Sequence, residues 1–248
     1  MAKIGIIGGS GLDDPKMLQD SHELTVSTPY GAPSSPLTVG RLHGAEVVIL
    51  ARHGRGHTIT PSKVNNKANI ASLKAQGVTH ILATTACGSL REEIGRGHFV
   101  VLDQFIDFTR HRQVTHHDDF TKGIVHPSMP DPFDSRLRQA LIAASQQLGF
   151  PTHERGTVVT IEGPRFSTRA ESHMFRQWGA DVINMSTAPE CILANEMGMP
   201  YAAIAMSTDY DCWKTGEQPV TWEEVLAVFK RNAENVKRVL SEAVRGLQ

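Results

Sequence analysis

Seven short apolar runs set the architecture of this 248-residue chain. They are "KIGIIGG" (3–9), "EVVILAR" (46–52), "THILATTA" (79–86), "HFVVLDQFID" (98–107), "GTVVTIEG" (156–163), "ADVINMS" (180–186) and "PYAAIAMS" (200–207). Each is too short for a stable helix, and the Val, Ile and Leu stand side by side instead of alternating with polar residues. That pattern fits strands covered on both faces. Helical patterns lie between them, at roughly 64–76, 134–148, 169–178 and 188–197. A last helix is the clearest: Thr221 and Glu224 have capping-box spacing, and Trp222, Val225, Leu226, Phe229, Ala233, Val236 and Leu240 recur at helical intervals. No linker, repeat or low-complexity run divides the chain. The expectation is one α/β domain over 1–248, a mixed and largely buried sheet flanked by helices.

Charge and cysteine usage exclude several function classes. Formal net charge is -1, so no basic face for nucleic acid or acidic tail is indicated. No apolar run approaches the ~20 residues of a membrane span. The N-terminal apolar run is too short for a secretory leader, and glycines break it. Cys87, Cys191 and Cys212 are scattered, an odd number without a C-x-x-C pair, which predicts free thiols and a cytoplasmic location. The twelve histidines lack metal-ligand spacing, so no metal is expected.

Chemistry-bearing residues collect where these runs end. In "GGSGL" (Gly8–Leu12), glycines after a strand free backbone N–H groups for an anion and Ser10 adds a hydroxyl. The same residues serve equally as a plain tight turn. The spacing is neither G-x-G-x-x-G nor a Walker loop. "ARHG" places Arg52 and His53 at a strand end, either to grip a phosphate or as a solvated basic loop. "ATTACGS" offers Thr84, Thr85 and the small residues after them. Together these donors suit a small free anion such as orthophosphate. "IEGPRFSTRAE" presents Phe166 and Ser167 just before a helix, where an aromatic can stack on a flat ring or simply anchor the loop. "NMS" (Asn184–Ser186) ends another strand, and His126 lies in the long aperiodic segment 108–132. In "AMSTDYDCW" the strand read over Tyr201–Met206 ends in two carboxylates, Asp209 and Asp211, which read as a capping turn or as acid–base groups.

The motifs "GIIGGSGLDDP", "ARHG", "TTACGSLREEI", "VTIEGPRFSTRAESHMFRQWGADVINMS" and "STDYDCWK", in this order, resemble the 5'-methylthioadenosine phosphorylase branch of the trimeric purine nucleoside phosphorylase family over about residues 3–245. The resemblance implies attack of phosphate on C1' of a purine nucleoside, with inorganic phosphate as co-substrate and no cofactor. It implies a phosphate site of Ser10, Arg52, His53, Thr85, Ala86 and Ser186, where the family usually has threonine at the two serine positions. Met185 matches the residue under the ribose, and Phe166 and Ser167 match base-site residues. Asp209 and Asp211 would serve the purine N7 and the 6-amino edge, and Asp209 argues for adenine because 6-oxopurine relatives carry asparagine there. Around the 5' group stand Val225, Leu226 and Trp222, the last where the family often has valine. His126 matches a loop histidine that reaches the 5'-group pocket of a neighbouring subunit's active site, implying a homotrimer, or a hexamer.

Three alternatives remain: a broader purine nucleoside phosphorylase acting on adenosine, inosine or 5'-methylthioinosine; a binding module without turnover; and a dinucleotide-dependent oxidoreductase suggested by "GIIGGSG".

Overall fold

The computed structural model describes residues 3–9, 17–121, 123–216 and 222–248, with 222–231 described by their backbone alone. Eleven strands form one mixed sheet: β1 (Lys3–Gly8), β2 (Gln19–Leu24), β3 (Leu37–Leu42), β4 (Ala45–Ala51), β5 (His80–Ser89), β6 (Phe99–Val101), β7 (Gln104–Phe108), β8 (Thr152–His153), β9 (Thr157–Ile161), β10 (Val182–Asn184) and β11 (Tyr201–Tyr210). Five helices accompany them: α1 (Asn66–Ala75), α2 (Ser135–Gln147), α3 (Arg169–Gln177), α4 (Thr187–Glu196) and α5 (Trp222–Gly246). The strand order is β2-β3-β4-β1-β5-β10-β9-β7, and β11 lies beside β5 and carries β6 and then β8.

The unbroken apolar runs are explained by burial on both faces. Along β11, Ala202, Ile204 and Met206 point to one side, where they pack with Leu137 and Leu141 of α2 and Val236 and Leu240 of α5. Tyr201, Ala203 and Ala205 point to the other side, with Ile70 and Leu73 of α1 and Cys191 and Leu193 of α4. Side chains alternate across a strand, so a strand sandwiched between two helix layers must be apolar at every position. A third cluster, with Val159, Ile183, Phe175 and Trp213, forms between α3 and the β9–β10 edge.

Helix entries are fixed by local chemistry. Asn65 accepts from Ala68 N–H at 3.1 Å ahead of α1, and Asp134 accepts from Leu137 N–H at 2.9 Å ahead of α2. Thr168 and Glu171 close a reciprocal capping box on α3, which satisfies two amides that would otherwise lack partners. The box expected at Thr221 and Glu224 lies outside the described residues.

Four readings from sequence change. The run 98–107 divides into β6 and β7, because β6 pairs with β11 and β8 while β7 pairs with β9. The break falls at Leu102–Asp103, where Asp103 N–H donates to Gly156 O and Gly156 N–H returns a bond to Asp103 Oδ1. The run 79–86 continues as strand to Ser89, and that over Tyr201–Met206 continues to Tyr210, since these two segments pair in parallel for almost their whole length. The pair β2–β3 has no clear apolar signature: β2 is an exposed edge, "QDSHEL". The sheet is buried at its centre but not at that edge. The three cysteines are free thiols, and among the described residues no helix is long and apolar enough to cross a membrane.

Ile204 is fully buried at the centre of β11. Ile204→Ala leaves a cavity between two helices and a sheet, and is expected to lower the unfolding free energy by about 2–5 kcal/mol. Denaturant unfolding checks this, and a loss under about 1 kcal/mol would mean that the core collapses around the deletion.

Candidate active site

The site begins with a gap in strand pairing. On one side β5 pairs with β11 from Ile81 to Ser89. On the other it pairs with β1 only over His80–Ala83, and with β10 only at Gly88–Ser89. Thr84–Cys87 therefore have no strand partner on that side among the described residues. A cavity of about 180 Å³ opens there, at the carboxyl ends of β1, β4 and β5, where ligands of open α/β sheets bind. The N–H and C=O of one strand residue point the same way. Thr84 O accepts from Arg52 Nη1 at 2.8 Å across the gap, so Ala86, two residues on, turns its N–H to the same side.

One end of the cavity is rich in donors yet electrically quiet. Arg52, at the end of β4, is only 2% exposed, and Glu190 of α4 grips it with two bonds, Nε to Oε1 at 2.5 Å and Nη2 to Oε2 at 3.0 Å. Tyr201 Oη donates to the same carboxylate at 3.0 Å. Burial acts against the guanidinium charge, and Glu190 more than offsets it. These contacts use three of the five guanidinium N–H groups, leaving two for a ligand in the cavity that Arg52 lines. Next to it, Thr85 Oγ1 and Ser186 Oγ lie 3.1 Å apart. Ser186 caps α4 by position, but its hydroxyl makes no cap bond. The positive end of that helix and a hydroxyl not committed to it thus face one place, a ready anion site.

His53 closes this end. Its Nδ1 is 2.9 Å from Ile59 O, a contact only an N–H can satisfy, so in the neutral ring Nε2 is the acceptor. Burial, helped by the Arg52 charge, lowers its pKa from 6.5 to about 4. Met185 lines the floor. Gly163 has φ +66°, and a Cβ there would collide with Met185 Sδ, so the loop after β9 crosses that side chain closely only because it has glycine. Arg112, from the long segment, fastens the same place: Nε binds Glu162 Oε1 at 2.9 Å, and Nη2 donates to Glu162 O at 2.6 Å and Met185 O at 3.3 Å.

The other end carries the carboxylates. A register shift between Ser207 and Asp209 puts a bulge in β11 at Thr208. Strict alternation would send Thr208 and Asp209 to opposite faces, yet both line the cavity. Thr208 Oγ1 donates to Asp209 Oδ1 at 2.6 Å, leaving Oδ2 beside Gly88. Asp211 follows, held by its own N–H to Ser89 O at 2.9 Å. Its pKa is raised: burial is the largest cause, only partly countered by the nearby Ser172 and Ser167 hydroxyls and the Cys212 N–H. Its Oδ2 is buried, and neither hydroxyl closes a hydrogen bond to it. The Ser167 and Ser172 hydroxyls beside it have no other partner and are its nearest donors. Phe166, 55% exposed, forms the rim.

Arg52, His53, Thr85, Ala86, Phe166, Ser167, Met185, Ser186, Asp209 and Asp211 thus line one cavity. Ser10 and the side chains of Trp222, Val225 and Leu226 lie outside the described residues. His126 is exposed, edge-on to Phe120 with ring centroids 5.5 Å apart, and is not in this cavity. Reasoning from sequence gave no role to Glu190, Thr208, His57 or Gly88, and named Asn184 only as the start of a strand-end motif. "TAPE" on a helix carries no mark of an arginine partner, and the role of Thr208 depends on a bulge that only strand pairing reveals.

A phosphate-sized donor cluster and a carboxylate-lined, aromatic-rimmed chamber share one cleft in a mixed α/β sheet. That arrangement sets anion donors opposite carboxylates across a single cavity. The Phosphorylase superfamily model matches residues 3–245, and the chain belongs to that family. It is 55% identical over 245 residues to S-methyl-5'-thioadenosine phosphorylase of Danio rerio, covering 98% of this chain and 88% of that one. It is 53% identical over 246 residues to the protein of the same name from Xenopus tropicalis, again covering 98% and 88%. Methylthioadenosine phosphorylase from Schistosoma mansoni in complex with adenine superposes with a TM-score of 0.94 at 42% identity, covering 100% of this chain and 92% of that one. A single-substitution variant of the adenosine/methylthioadenosine phosphorylase from the same organism, in complex with methylthioadenosine, gives 0.93 at 42% identity and the same coverage.

The lowered pKa of His53 ties stability to pH. A base whose folded pKa lies below its unfolded 6.5 adds stability that is complete above 6.5 and is lost as pH falls toward about 4. In the ligand-free protein the His53 ring is expected to titrate near 4, and bound phosphate should move the midpoint up. NMR of labelled histidines reads both values; a midpoint near 6.5 without ligand would show the ring to be solvated.

Proposed function

We propose that this protein catalyses phosphorolysis of 5'-methylthioadenosine, giving adenine and 5-methylthioribose-1-phosphate. The observation that carries this reading is the placing of two carboxylates, Asp209 and Asp211, on the wall of the same cavity as the anion donors Arg52, Thr85 and Ser186. The 6-amino group of adenine brings N–H donors that carboxylates accept. A 6-oxopurine brings an acceptor and leaves the mismatch buried, at a cost of about 1–3 kcal/mol. The curated relatives named above support the 5'-methylthio group on the sugar.

Phosphate, held by Thr85, Ser186, the Ala86 N–H, the two remaining Arg52 N–H groups and Ser10, attacks C1'. The C1'–N9 bond breaks with oxocarbenium character, and a phosphate oxygen forms the new bond to C1'. Electrons of the broken bond pass into the purine, which takes a proton or strong hydrogen bond at N7 from Asp209. Thr208 Oγ1, within reach of both Asp209 Oδ1 and Cys87 O, holds the carboxyl in place for that transfer. Met185 lies under the ribose, Phe166 covers the base, and Trp222, Val225 and Leu226 wall the 5' group. Phosphate is a co-substrate, and the reaction uses no metal or cofactor. The anion end supports turnover: Arg52 is neutralised by Glu190 and His53 is uncharged at neutral pH, so the sugar phosphate is not trapped by a fixed positive charge.

The chain works as one domain in a cytoplasmic homotrimer. Phe120, Ile124 and Val125 expose 49%, 76% and 40% of their surface in the segment that bears His126, an apolar run suited to cover by a second copy.

Base release from 5'-methylthioadenosine, adenosine, inosine and 5'-methylthioinosine, each with and without phosphate, tests the reading. Methylthioadenosine is expected to react fastest and only with phosphate; a preference for the 6-oxo substrates would overturn the role given to the two aspartates. Asp209→Asn is expected to lower kcat by about 10²–10⁴-fold. Steady-state rates on methylthioadenosine measure this, and a loss below ten-fold would remove Asp209 from proton transfer.

A further inference from the structure

We infer that Asn184 is a positioning residue that makes Thr85 a hydrogen-bond donor to the bound phosphate. The inference rests on the reading of this cleft as a phosphorolysis site. Asn184 ends β10, is 5% exposed, and stands at the centre of a hydroxyl cluster. Its amide orientation follows from its neighbours. The Ser186 backbone N–H, which can only donate, faces one amide atom at 3.4 Å. Thr160 Oγ1 faces the same atom at 2.8 Å while accepting from Ala188 N–H at 3.1 Å. That atom is therefore the oxygen, Oδ1. The nitrogen then faces Thr85 Oγ1 at 3.1 Å and Thr187 Oγ1 at 2.5 Å and donates one hydrogen to each.

The consequence lies at Thr85. Its hydroxyl already accepts from Asn184, so the proton it carries is turned outward. Within reach are Ala86 O at 3.0 Å and Ser186 Oγ at 3.1 Å. An anion in the cavity competes with both and wins on charge. The chain of donation runs from Thr160 to Asn184, and from Asn184 to Thr85, which passes it to the phosphate. An acceptor at position 184 would reverse it: Thr85 would give its proton to that acceptor and meet the phosphate with lone pairs. Thr187, Ser186 and the α4 backbone stay in place, so the effect belongs to the anion and not to the base.

The test is Asn184→Asp, with Thr160→Val as the milder variant and Thr85→Val to close a double-mutant cycle. Asn184→Asp is expected to raise the phosphate KM roughly ten-fold or more, the loss of a hydrogen bond to a charged group, while adenine bound in the absence of phosphate keeps its Kd within about two-fold. Thr160→Val should move phosphate KM the same way by less. In the Thr85→Val background, Asn184→Asp should add little, because its route is gone. An unchanged phosphate KM in Asn184→Asp, equal losses of phosphate and adenine binding, or full additivity in the cycle would each overturn the inference. If Asn184→Asp does not fold, Thr160→Val and its cycle with Thr85→Val decide in the same way. Failure of the functional reading looks different: the unsubstituted protein would then release no base in response to phosphate.

Discussion

Parallel pairing of β5 and β11 through the core is the constraint on which the rest depends. The two strands run together from Ile81 to Ser89, sealed above by α2 and α5 and below by α1 and α4. With β11 fixed on one side, the other side of β5 has to be shared between β1 and β10, which approach from opposite ends and in opposite senses. They do not meet. The gap left between them is the cleft, and Thr85–Cys87, paired with β11 on their other side, form its inner wall. A functional site is here a by-product of how the ladder is terminated.

The same core explains how a strongly basic residue sits at the anion end without acting as a trap. Arg52 leaves β4 at the gap and meets Glu190, which α4 presents from the sheet's other layer, with Tyr201 of β11 as a third member. Separating a buried pair of this kind is expensive, since either charge alone would be stranded away from water. The pair therefore locks β4, α4 and β11 together and aims the two unused guanidinium N–H groups. The other donors at this end are neutral hydroxyls, backbone N–H groups and the end of α4, whose strength is set by direction and not by net charge. Hence the order of donors and acceptors around Asn184 matters more than any further cation would.

At the opposite end, one extra residue in β11 does comparable work. Bulges bend a strand and re-aim its side chains, and the one at Thr208 brings a hydroxyl and a carboxylate onto the same surface. Gly88, across the register shift, packs closely against β10: a Cβ there would come within 3.1 Å of Ile183 Cγ2, with Asp209 Oδ2 and the Asp211 Cβ at ordinary contact distances of 3.4 and 3.5 Å. Burial then raises the Asp211 pKa. Two carboxylates close in sequence thus acquire different surroundings, one bonded to a threonine hydroxyl and one buried beside two serine hydroxyls.

The sequence alone determined a good deal. Uninterrupted Val, Ile and Leu runs require cover on both faces, so an α/β sandwich follows without coordinates, and "GGSG", "ARHG", "NMS" and "DYD" mark strand ends where side chains escape the core. The ordered motifs resemble one enzyme family, and ten of the residues they pick out line a single cavity. What the sequence could not decide is where strands stop. Local pattern does not reveal that 98–107 breaks in two, that β11 runs on through Asp209, or that polar β2 is a strand at all, because each depends on hydrogen bonds to partners remote in the chain. For the same reason Glu190, Thr208 and Asn184 were not legible. Their chemistry is defined by what they face across the sheet, at separations of 138 residues for Glu190 and Arg52 and 99 for Asn184 and Thr85, and only tertiary structure brings those groups within hydrogen-bonding distance.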